Sequence, residues 1–160
     1  LTVGFCDTDA LVEKAAGKPI KEIVALEGWD SFRAREKDAV RSLEQKGDCV
    51  VATGGGVVLD RENVEILKRA GVVIWLKTPL KDIITRLKRD AETEATSPQF
   101  SSGNIVQETQ DMMQQRLPLY EKTADYIVDT TGKNTAQVTE EIYLYLLKSG
   151  NLDKMTQNKN

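Results

Sequence analysis

Four short apolar runs, each followed by a helical pattern, constrain the fold of this chain more than any other feature. The runs span residues 2–6, 49–52, 72–76 and 126–128, and their lengths suit strands better than buried helices. Short apolar strands that alternate with helices are typical of α/β domains with a mostly parallel sheet. We therefore predict an α/β fold of this kind.

Capping residues mark where several helices begin. Asp60 precedes a helix that should reach about Arg69, and Asn134 precedes the last helix; both residues are favoured N-caps. Thr78 followed by Pro79 has the pattern of a cap and a first helical residue, and predicts a helix that ends near residue 90. Apolar residues of the last helix fall on one face, namely Val138, Ile142, Tyr145 and Leu146.

Composition narrows the class of protein. The chain has 160 residues, 22 Lys and Arg against 25 Asp and Glu, and no His. One domain is expected at this length, and the net charge of −3 argues against binding to nucleic acid or to an anionic membrane. Because His is absent, imidazole-based triads and His-containing zinc sites are excluded. Cys6 and Cys49 lie in apolar runs and are expected to be reduced thiols.

Two segments differ from the core-like remainder. Residues 91–104 are polar and contain Ser, Pro and Gly, so we expect a mobile lid between two helices there. Residues 149–160 should form a flexible tail, which leaves residues 1–148 as the domain. No apolar run of about 18 residues and no signal peptide is visible, and we expect a cytoplasmic monomer.

Asp7 and Asp9 directly follow the first apolar run. Ligands of open parallel sheets bind at the carboxyl ends of the strands. There, one carboxylate can hold a hydrated Mg²⁺ while the other accepts a proton from a hydroxyl group. The alternative is that one of the two aspartates only caps the following helix. The pair alone leaves both interpretations open.

Gly54, Gly55 and Gly56 follow the second apolar run. Three glycines allow the backbone to approach a ligand closely and to present N–H groups to it. A plain tight turn needs fewer glycines, so we favour a ligand-binding role.

Two arginines occur in patterns that suit anion binding, because a guanidinium grips a carboxylate in a fork. Arg33 and Glu36 share a helix face, and Arg116 precedes Pro118 at the predicted end of a helix. For each arginine taken alone, a simpler interpretation is favoured. Arg33 would form a surface ion pair of little value, and Arg116 would interact as a cation with the helix C-terminus.

The order of the motifs changes that balance. The chain contains, in this order, FCDTD, GKPIKEI, GWDSFRAREKDAV, VVATGGGVVL, VVIWLKTP and RLPLYEKTADYIVDT. This series resembles the shikimate kinase family over about residues 3–148. The resemblance implies a parallel sheet between two layers of helices, as in P-loop kinases. It also implies transfer of the γ-phosphoryl group of ATP to the 3-hydroxyl group of shikimate, in the biosynthesis of aromatic amino acids.

The resemblance further assigns roles to individual residues. Asp9 would bind the hydroxyl groups of shikimate and accept the proton of the attacking one, and Asp7 would lie near Mg²⁺, through water. Arg33 and Arg116 would clamp the shikimate carboxylate, with Glu36 orienting Arg33. The remaining assignments are the substrate-binding residues Gly55, Gly56, Ile20 and Phe32 and the nucleotide-binding residues Arg86, Lys133 and Thr135.

Two departures from the family pattern keep a second interpretation open. The phosphate-binding sequence GxxxxGK(S/T) does not occur in the 160 residues, so the chain as given has no backbone cradle for the β-phosphate. In the predicted lid, Ser97 stands where family members usually carry Arg.

We expect a segment of roughly 30 residues, the span of one strand, loop and helix, to precede Leu1. It would hold the phosphate loop and a strand between the second and third strands. With that segment the protein would be an ATP-dependent kinase. The alternative is a non-catalytic relative that binds a small carboxylate or a partner protein.

Overall fold

The computed structural model describes residues 3–92 and 104–151 of the chain. Strands and helices alternate along this part, which confirms the predicted α/β fold. The elements are β1 Gly4–Asp7, α1 Thr8–Ala16, α2 Ile20–Ser42, β2 Cys49–Ala52, α3 Arg61–Ala70, β3 Ile74–Lys77, α4 Leu80–Glu92, α5 Ile105–Thr123, β4 Tyr126–Asp129 and α6 Thr135–Lys148. Short 3₁₀ turns follow α2 at Leu43–Gln45 and precede α3 at Val57–Leu59.

The strands pair in parallel, as predicted, but they form two separate pairs. In the first pair Cys6 of β1 lies opposite Val51 of β2, and in the second Leu76 of β3 lies opposite Val128 of β4. No ladder joins β2 to β3 within the residues that the structure describes. Val50 and Leu76 are 55% and 52% exposed, so both pairs keep apolar surface outside the core. The single sheet implied by the resemblance is therefore divided into two halves here.

Strand β3 begins two residues later than predicted because Asp125 engages the backbone of Val73. The Asp125 carboxylate accepts a hydrogen bond from the Val73 N–H at 2.9 Å. The Asp125 N–H donates to the Val73 carbonyl at 2.8 Å. The ladder between β3 and β4 therefore starts at Ile74.

Two of the three predicted helix caps are confirmed. The Asp60 side chain accepts from the backbone of the first turn of α3. Asn134 and Gln137 form a reciprocal capping box at the start of α6. The predicted apolar face of α6 is half-buried, while the rest of that helix is mostly exposed.

The third cap, at Thr78, is wrong. The Thr78 hydroxyl forms a hydrogen bond with the Thr130 hydroxyl at 2.8 Å and thereby joins the segments that follow β3 and β4. Pro79 precedes α4 instead, and its carbonyl accepts the first helical hydrogen bonds. The Thr78 hydroxyl is therefore engaged in a tertiary hydrogen bond instead of capping its own helix.

Two clusters of buried side chains form the core, and α2 contributes to both. The first cluster contains Cys6, Val40, Leu43, Val57, Val58 and Ile66. The second contains Val12, Ile23, Phe32 and Ala39. Both cysteines are free thiols, as predicted. Because α2 spans the two clusters, it fixes α1, β1 and the turn after β2 relative to one another.

Helix α5 continues past Pro118 to Thr123, so the prediction that a helix ends near Arg116 is wrong. A proline inside a helix removes one backbone hydrogen bond. Leu119 and Tyr120 nevertheless pack against the first core cluster, and this packing holds the last turn in place. Arg116 lies inside α5, where the proposed interaction with a helix C-terminus does not apply.

Most of the predicted lid lies outside the described residues, as do residues 152–160 of the predicted tail. The helices on either side of the lid are in place, since α4 ends at Glu92 and α5 begins at Ile105. None of the described helices is both long enough and apolar enough to cross a membrane.

Candidate functional site

The turn that follows β2, formed by the three glycines of residues 54–56, brings side chains from three helices together. A Cβ atom on Gly54 would lie 3.0 Å from Oδ1 of Asp9, which is on α1. A Cβ atom on Gly56 would lie 2.7 Å from Cζ of Arg33, which is on α2. Gly56 has φ −84°, so glycine is required here by close approach and not by a left-handed backbone.

The middle glycine contacts the third helix, α5. A Cβ atom on Gly55 would lie 3.0 Å from the hydroxyl oxygen of Tyr120 and 3.7 Å from Nη1 of Arg116. The three consecutive glycines therefore border one aspartate and two arginines. The structure brings together the central residues of the predicted substrate site.

Asp7 is a helix cap. Its Oδ1 accepts hydrogen bonds from the backbone N–H groups of Asp9 at 2.8 Å and Ala10 at 3.2 Å. Of the two interpretations left open for the aspartate pair, capping therefore applies to Asp7. The other carboxylate oxygen of Asp7 accepts no hydrogen bond from the part of the protein described here.

The Asp9 carboxylate is differently placed. Its Oδ1 is buried and has no hydrogen-bond partner among the described residues. Burial raises the pKa of Asp9, and the negative charges of Asp7, Glu36 and Glu13 raise it further, against the opposing effect of Arg33. A buried acceptor without a partner is suited to a hydroxyl group of a ligand.

Arg33 is held by a buried carboxylate. Its Nη1 donates to both oxygens of Glu36 at 2.8 and 2.7 Å, and the Glu36 side chain is only 1% exposed. The interpretation as a surface ion pair is therefore wrong. The guanidinium also lies over the rings of Phe32 and Trp29, 5.0 and 5.6 Å from their centroids, which adds cation–π attraction.

Arg116 is buried without a counterion in the described part of the chain. It is 9% exposed, and no ion pair or hydrogen bond joins it to another residue within segments 3–92 and 104–151. Burying a guanidinium is costly unless an opposite charge or acceptor compensates. An anionic ligand at the glycine turn would supply that compensation.

The two other predicted substrate-pocket residues lie on the core side of the site. Phe32 is 5% exposed and belongs to the second core cluster, and Ile20 packs against that cluster. Contact of these residues with a substrate ring stays a prediction.

The three predicted nucleotide-binding residues lie in the other half of the molecule, which follows β3 and β4. Lys133 forms an ion pair with Glu141 at 2.5 Å, Thr135 is the first residue of α6, and Arg86 is exposed on α4. No cluster of three carboxylate or thiol side chains suited to a metal ion occurs in the part of the protein that the structure describes.

Sequence reasoning missed Trp29 and Tyr120. Their spacing from the two arginines could have indicated both residues, because residues four apart share a helix face. Trp29 precedes Arg33 by four residues, and Tyr120 follows Arg116 by four.

We expect Gly56→Ala to weaken ligand binding without unfolding the protein. The added Cβ would overlap Arg33, and the end of that flexible side chain is what has to move. Displacement of a positioned guanidinium should raise the Kd of an anionic ligand roughly tenfold or more. Because Nη1 of the same guanidinium donates to the buried Glu36, the melting temperature should also fall, but less than on loss of the whole Arg33 side chain. Calorimetry and thermal melting would measure the two quantities.

Gly47→Ala is the matched control, because a Cβ on Gly47 would meet no atom within 4 Å. If the two substitutions changed the Kd equally, the close approach of Gly56 to Arg33 would not be important for ligand binding.

The fold and the side chains around the glycine turn together define an α/β protein with a candidate small-molecule site at the carboxyl ends of parallel strands. The donor set suits a ligand that carries both an anionic group and a hydroxyl group.

Comparison with known proteins gives the particular family. Residues 1–147 match the family model described as shikimate kinase. A shikimate kinase of Syntrophus aciditrophicus is 40% identical, with 86% of this chain and 75% of the relative covered. A shikimate kinase of Nitratidesulfovibrio vulgaris is 41% identical, with 78% and 70% covered. The chain belongs to the shikimate kinase family.

Solved structures agree. The structure of a shikimate kinase from Acinetobacter baumannii in complex with shikimate has a TM-score of 0.81 and 32% identity, covering 94% of this chain and 81% of that one. The shikimate kinase from Aquifex aeolicus has a TM-score of 0.75 and 27% identity, covering 94% and 83%. The implied α/β fold of the P-loop kinase type is thereby confirmed.

Proposed function

We propose that this protein binds shikimate at the glycine turn and takes part in its phosphorylation by ATP. The observation that carries the proposal is the convergence of Asp9, Arg33 and Arg116 on three consecutive glycines. Two cations and one carboxylate around one turn suit a small acid that carries both a carboxylate and a reacting hydroxyl group. The family membership and the shikimate complex of the Acinetobacter relative support the choice of acid.

The proposed division of labour follows from the charges. Arg116 lacks a counterion among the described residues, and Arg33 is oriented by Glu36. Both would bind the shikimate carboxylate and so fix the orientation of the molecule relative to the transferred phosphoryl group. Positioning and charge neutralisation are the main demands of phosphoryl transfer, and a clamp of two guanidinium groups provides the first of them.

Asp9 would act on the 3-hydroxyl group. As that oxygen bonds to the γ-phosphorus and the bond from the phosphorus to ADP breaks, the hydroxyl proton passes to the Asp9 carboxylate. An aspartate with an ordinary pKa of about 3.9 is a weak base. Burial raises the pKa of Asp9, which makes the carboxylate a better proton acceptor near neutral pH.

ATP and Mg²⁺ are the cofactors of the proposed reaction. Mg²⁺ prefers oxygen ligands and keeps several waters, and the second carboxylate oxygen of Asp7 fits an outer contact of this kind. When bound, the ion neutralises developing charge on the phosphates. Arg86, Lys133 and Thr135 are the candidates for the nucleotide base. Action in the cytoplasm, as a monomer, stays a prediction.

Two measurements test the proposal. Calorimetry with the 160-residue chain should show shikimate binding, and a coupled kinase assay with the product of the complete reading frame should show turnover. Asp9→Asn should abolish turnover but leave nucleotide binding nearly intact. A joint loss of turnover and nucleotide binding would make Asp9 structural.

The second candidate function is that of a non-catalytic relative that binds a small carboxylate or a partner protein. It is favoured by Ser97 and by the absence of GxxxxGK(S/T) from residues 1–160. Shikimate binding without turnover by the complete product would support it, and turnover would exclude it.

Asp9→Asn should also stabilise the unliganded protein at neutral pH. A carboxyl group whose pKa is raised by folding makes its full contribution to native stability below its unfolded pKa, and that contribution is lost as the pH rises through the folded pKa. Because burial raises the pKa of Asp9, its charged form opposes folding at neutral pH. We expect a higher melting temperature for Asp9→Asn at pH 7.

The difference from the wild type should shrink as the pH falls through the pKa of Asp9. Asp30→Asn, on an exposed position of α2, removes a negative charge from the surface and is the control. A melting temperature of Asp9→Asn that stays below that of the wild type at every pH would contradict the prediction.

A further inference from the structure

Tyr120 links helix α5 to the glycine turn. Its hydroxyl donates a hydrogen bond to the carbonyl of Gly55 at 2.7 Å. Its ring packs against Trp75 of β3, with centroids 5.5 Å apart. One side chain therefore connects the end of β2, strand β3 and the helix that carries Arg116, four residues earlier.

The hydrogen bond has a geometric consequence for the backbone of the turn. In a trans peptide unit the carbonyl and the following N–H point in opposite directions, and the described residues contain no cis peptide. When Tyr120 holds the Gly55 carbonyl, the N–H of Gly56 must point away from Tyr120. The orientation of the Gly55–Gly56 peptide is thus set by a side chain from another element.

The N–H groups of Gly55 and Gly56 are available as donors. Neither Gly55 nor Gly56 donates its N–H to an acceptor among the described residues, whereas the carbonyls of Gly54 and Gly56 accept from Val57 and Leu59. Glycine peptides of this kind have little steric restraint of their own. Without Tyr120 the Gly55–Gly56 peptide would be free to rotate.

We propose that Tyr120 is a positioning residue, which orients the Gly56 N–H so that it donates to the bound acid. The proposal rests on the proposed function and deepens it, because it adds an element that tunes the affinity for the acid without contacting the reacting atoms. Arg33 and Arg116 provide charge, and Tyr120 sets the direction of a neutral donor between them.

Tyr120→Phe tests the proposal, because it removes the hydroxyl and keeps the ring against Trp75. The Kd of shikimate for the 160-residue chain and the KM of shikimate in the coupled kinase assay should rise about 3- to 10-fold, the range of one neutral hydrogen bond. The kcat should stay within about twofold and the KM of ATP should not change, because the lost donor serves the ground state and the transition state alike. Tyr143→Phe on the exposed part of α6 is the matched control.

The variant also has a readout that does not depend on shikimate. The amide resonance of Gly56 should shift in the unliganded Tyr120→Phe protein, because its peptide loses a fixed orientation. In the wild type that resonance should move on addition of shikimate, and it should move less in the variant. An unchanged Gly56 resonance would overturn the proposal.

The remaining outcomes separate this proposal from the proposed function. If the wild type binds shikimate and Tyr120→Phe binds it equally well, only the role of Tyr120 fails. If the melting temperature, kcat and both KM values worsen together, Tyr120 is a general structural contact, which also overturns the proposal. If the wild type binds no shikimate, the proposed function itself is wrong, and the role of Tyr120 is lost with it.

Discussion

Arg116→Ala is expected to weaken shikimate binding by about 2–5 kcal/mol, the range found when one partner of a buried charge pair is truncated. The reason is that Arg116 is 9% exposed as a residue and has no counterion in the described part of the protein, so the ligand carboxylate would be its main electrostatic partner. Calorimetric titration of wild type and variant with shikimate measures the difference.

Arg61→Ala is the matched control. Arg61 is a surface arginine, 92% exposed, that pairs with Glu65 one helical turn away, and its loss should change shikimate affinity very little. If Arg116→Ala changed the affinity by less than about 0.5 kcal/mol, as is usual for surface substitutions, Arg116 would not belong to a carboxylate clamp.

The stability of the unliganded protein gives a second measure of Arg116. Replacing charged side chains in a largely buried position with apolar side chains of similar volume is often neutral or stabilising. Arg116→Met should therefore keep or raise the melting temperature of the unliganded protein. It should abolish the further rise in melting temperature that shikimate causes in the wild type. A large loss of stability would indicate a structural partner for Arg116.

Arg33→Leu has the largest expected effect on stability. It would leave the Glu36 carboxylate, 1% exposed, without the two hydrogen bonds that Arg33 donates. Breaking a buried pair costs roughly 3–5 kcal/mol, and we expect about 3 kcal/mol, the lower end of that range, because the Arg33 side chain is 26% exposed. Chemical denaturation would measure the free energy of unfolding.

The double variant Arg33→Leu with Glu36→Leu separates stability from binding. Removal of both charges should recover most of the lost stability, yet the double variant should not bind shikimate, because the clamp is gone. Arg35→Leu, on the same helix but in a more exposed pair with Glu27, should lose far less stability. An Arg33→Leu protein as stable as Arg35→Leu would show that Glu36 finds another partner.

Local patterns were sufficient for most of the fold. The alternation of short apolar runs with helical stretches predicted four parallel strands close to their observed positions, because strand and helix periodicity depends on neighbouring residues only. Asp60 and Asn134 were correct as caps for the same reason. The cap at Thr78 and the start of β3 were not predicted correctly, because the side chains of Thr78 and Asp125 bond to residues about 50 positions away and no local pattern reports such a contact.

The candidate site shows the same division. Motif order pointed to Asp9, Arg33 and Arg116, but taken alone Arg33 favoured a surface ion pair and Arg116 a cation at a helix C-terminus. Whether Glu36 is buried depends on how α2 packs across the two core clusters, and whether Arg116 lies inside a helix depends on the packing of Leu119 and Tyr120 around Pro118. Spacing in the chain contains neither fact.

The amino-acid sequence by itself determined the succession of strands and helices, the family and the types of side chain available for binding. Only the tertiary structure decided that Asp7 caps a helix while Asp9 keeps a buried oxygen without a partner, that the two arginines meet at one turn, and that Tyr120 orients that turn. The physical reason is that burial and charge compensation arise between elements distant in the chain. The burial and the charge compensation of each side chain are therefore decided only when those elements pack together.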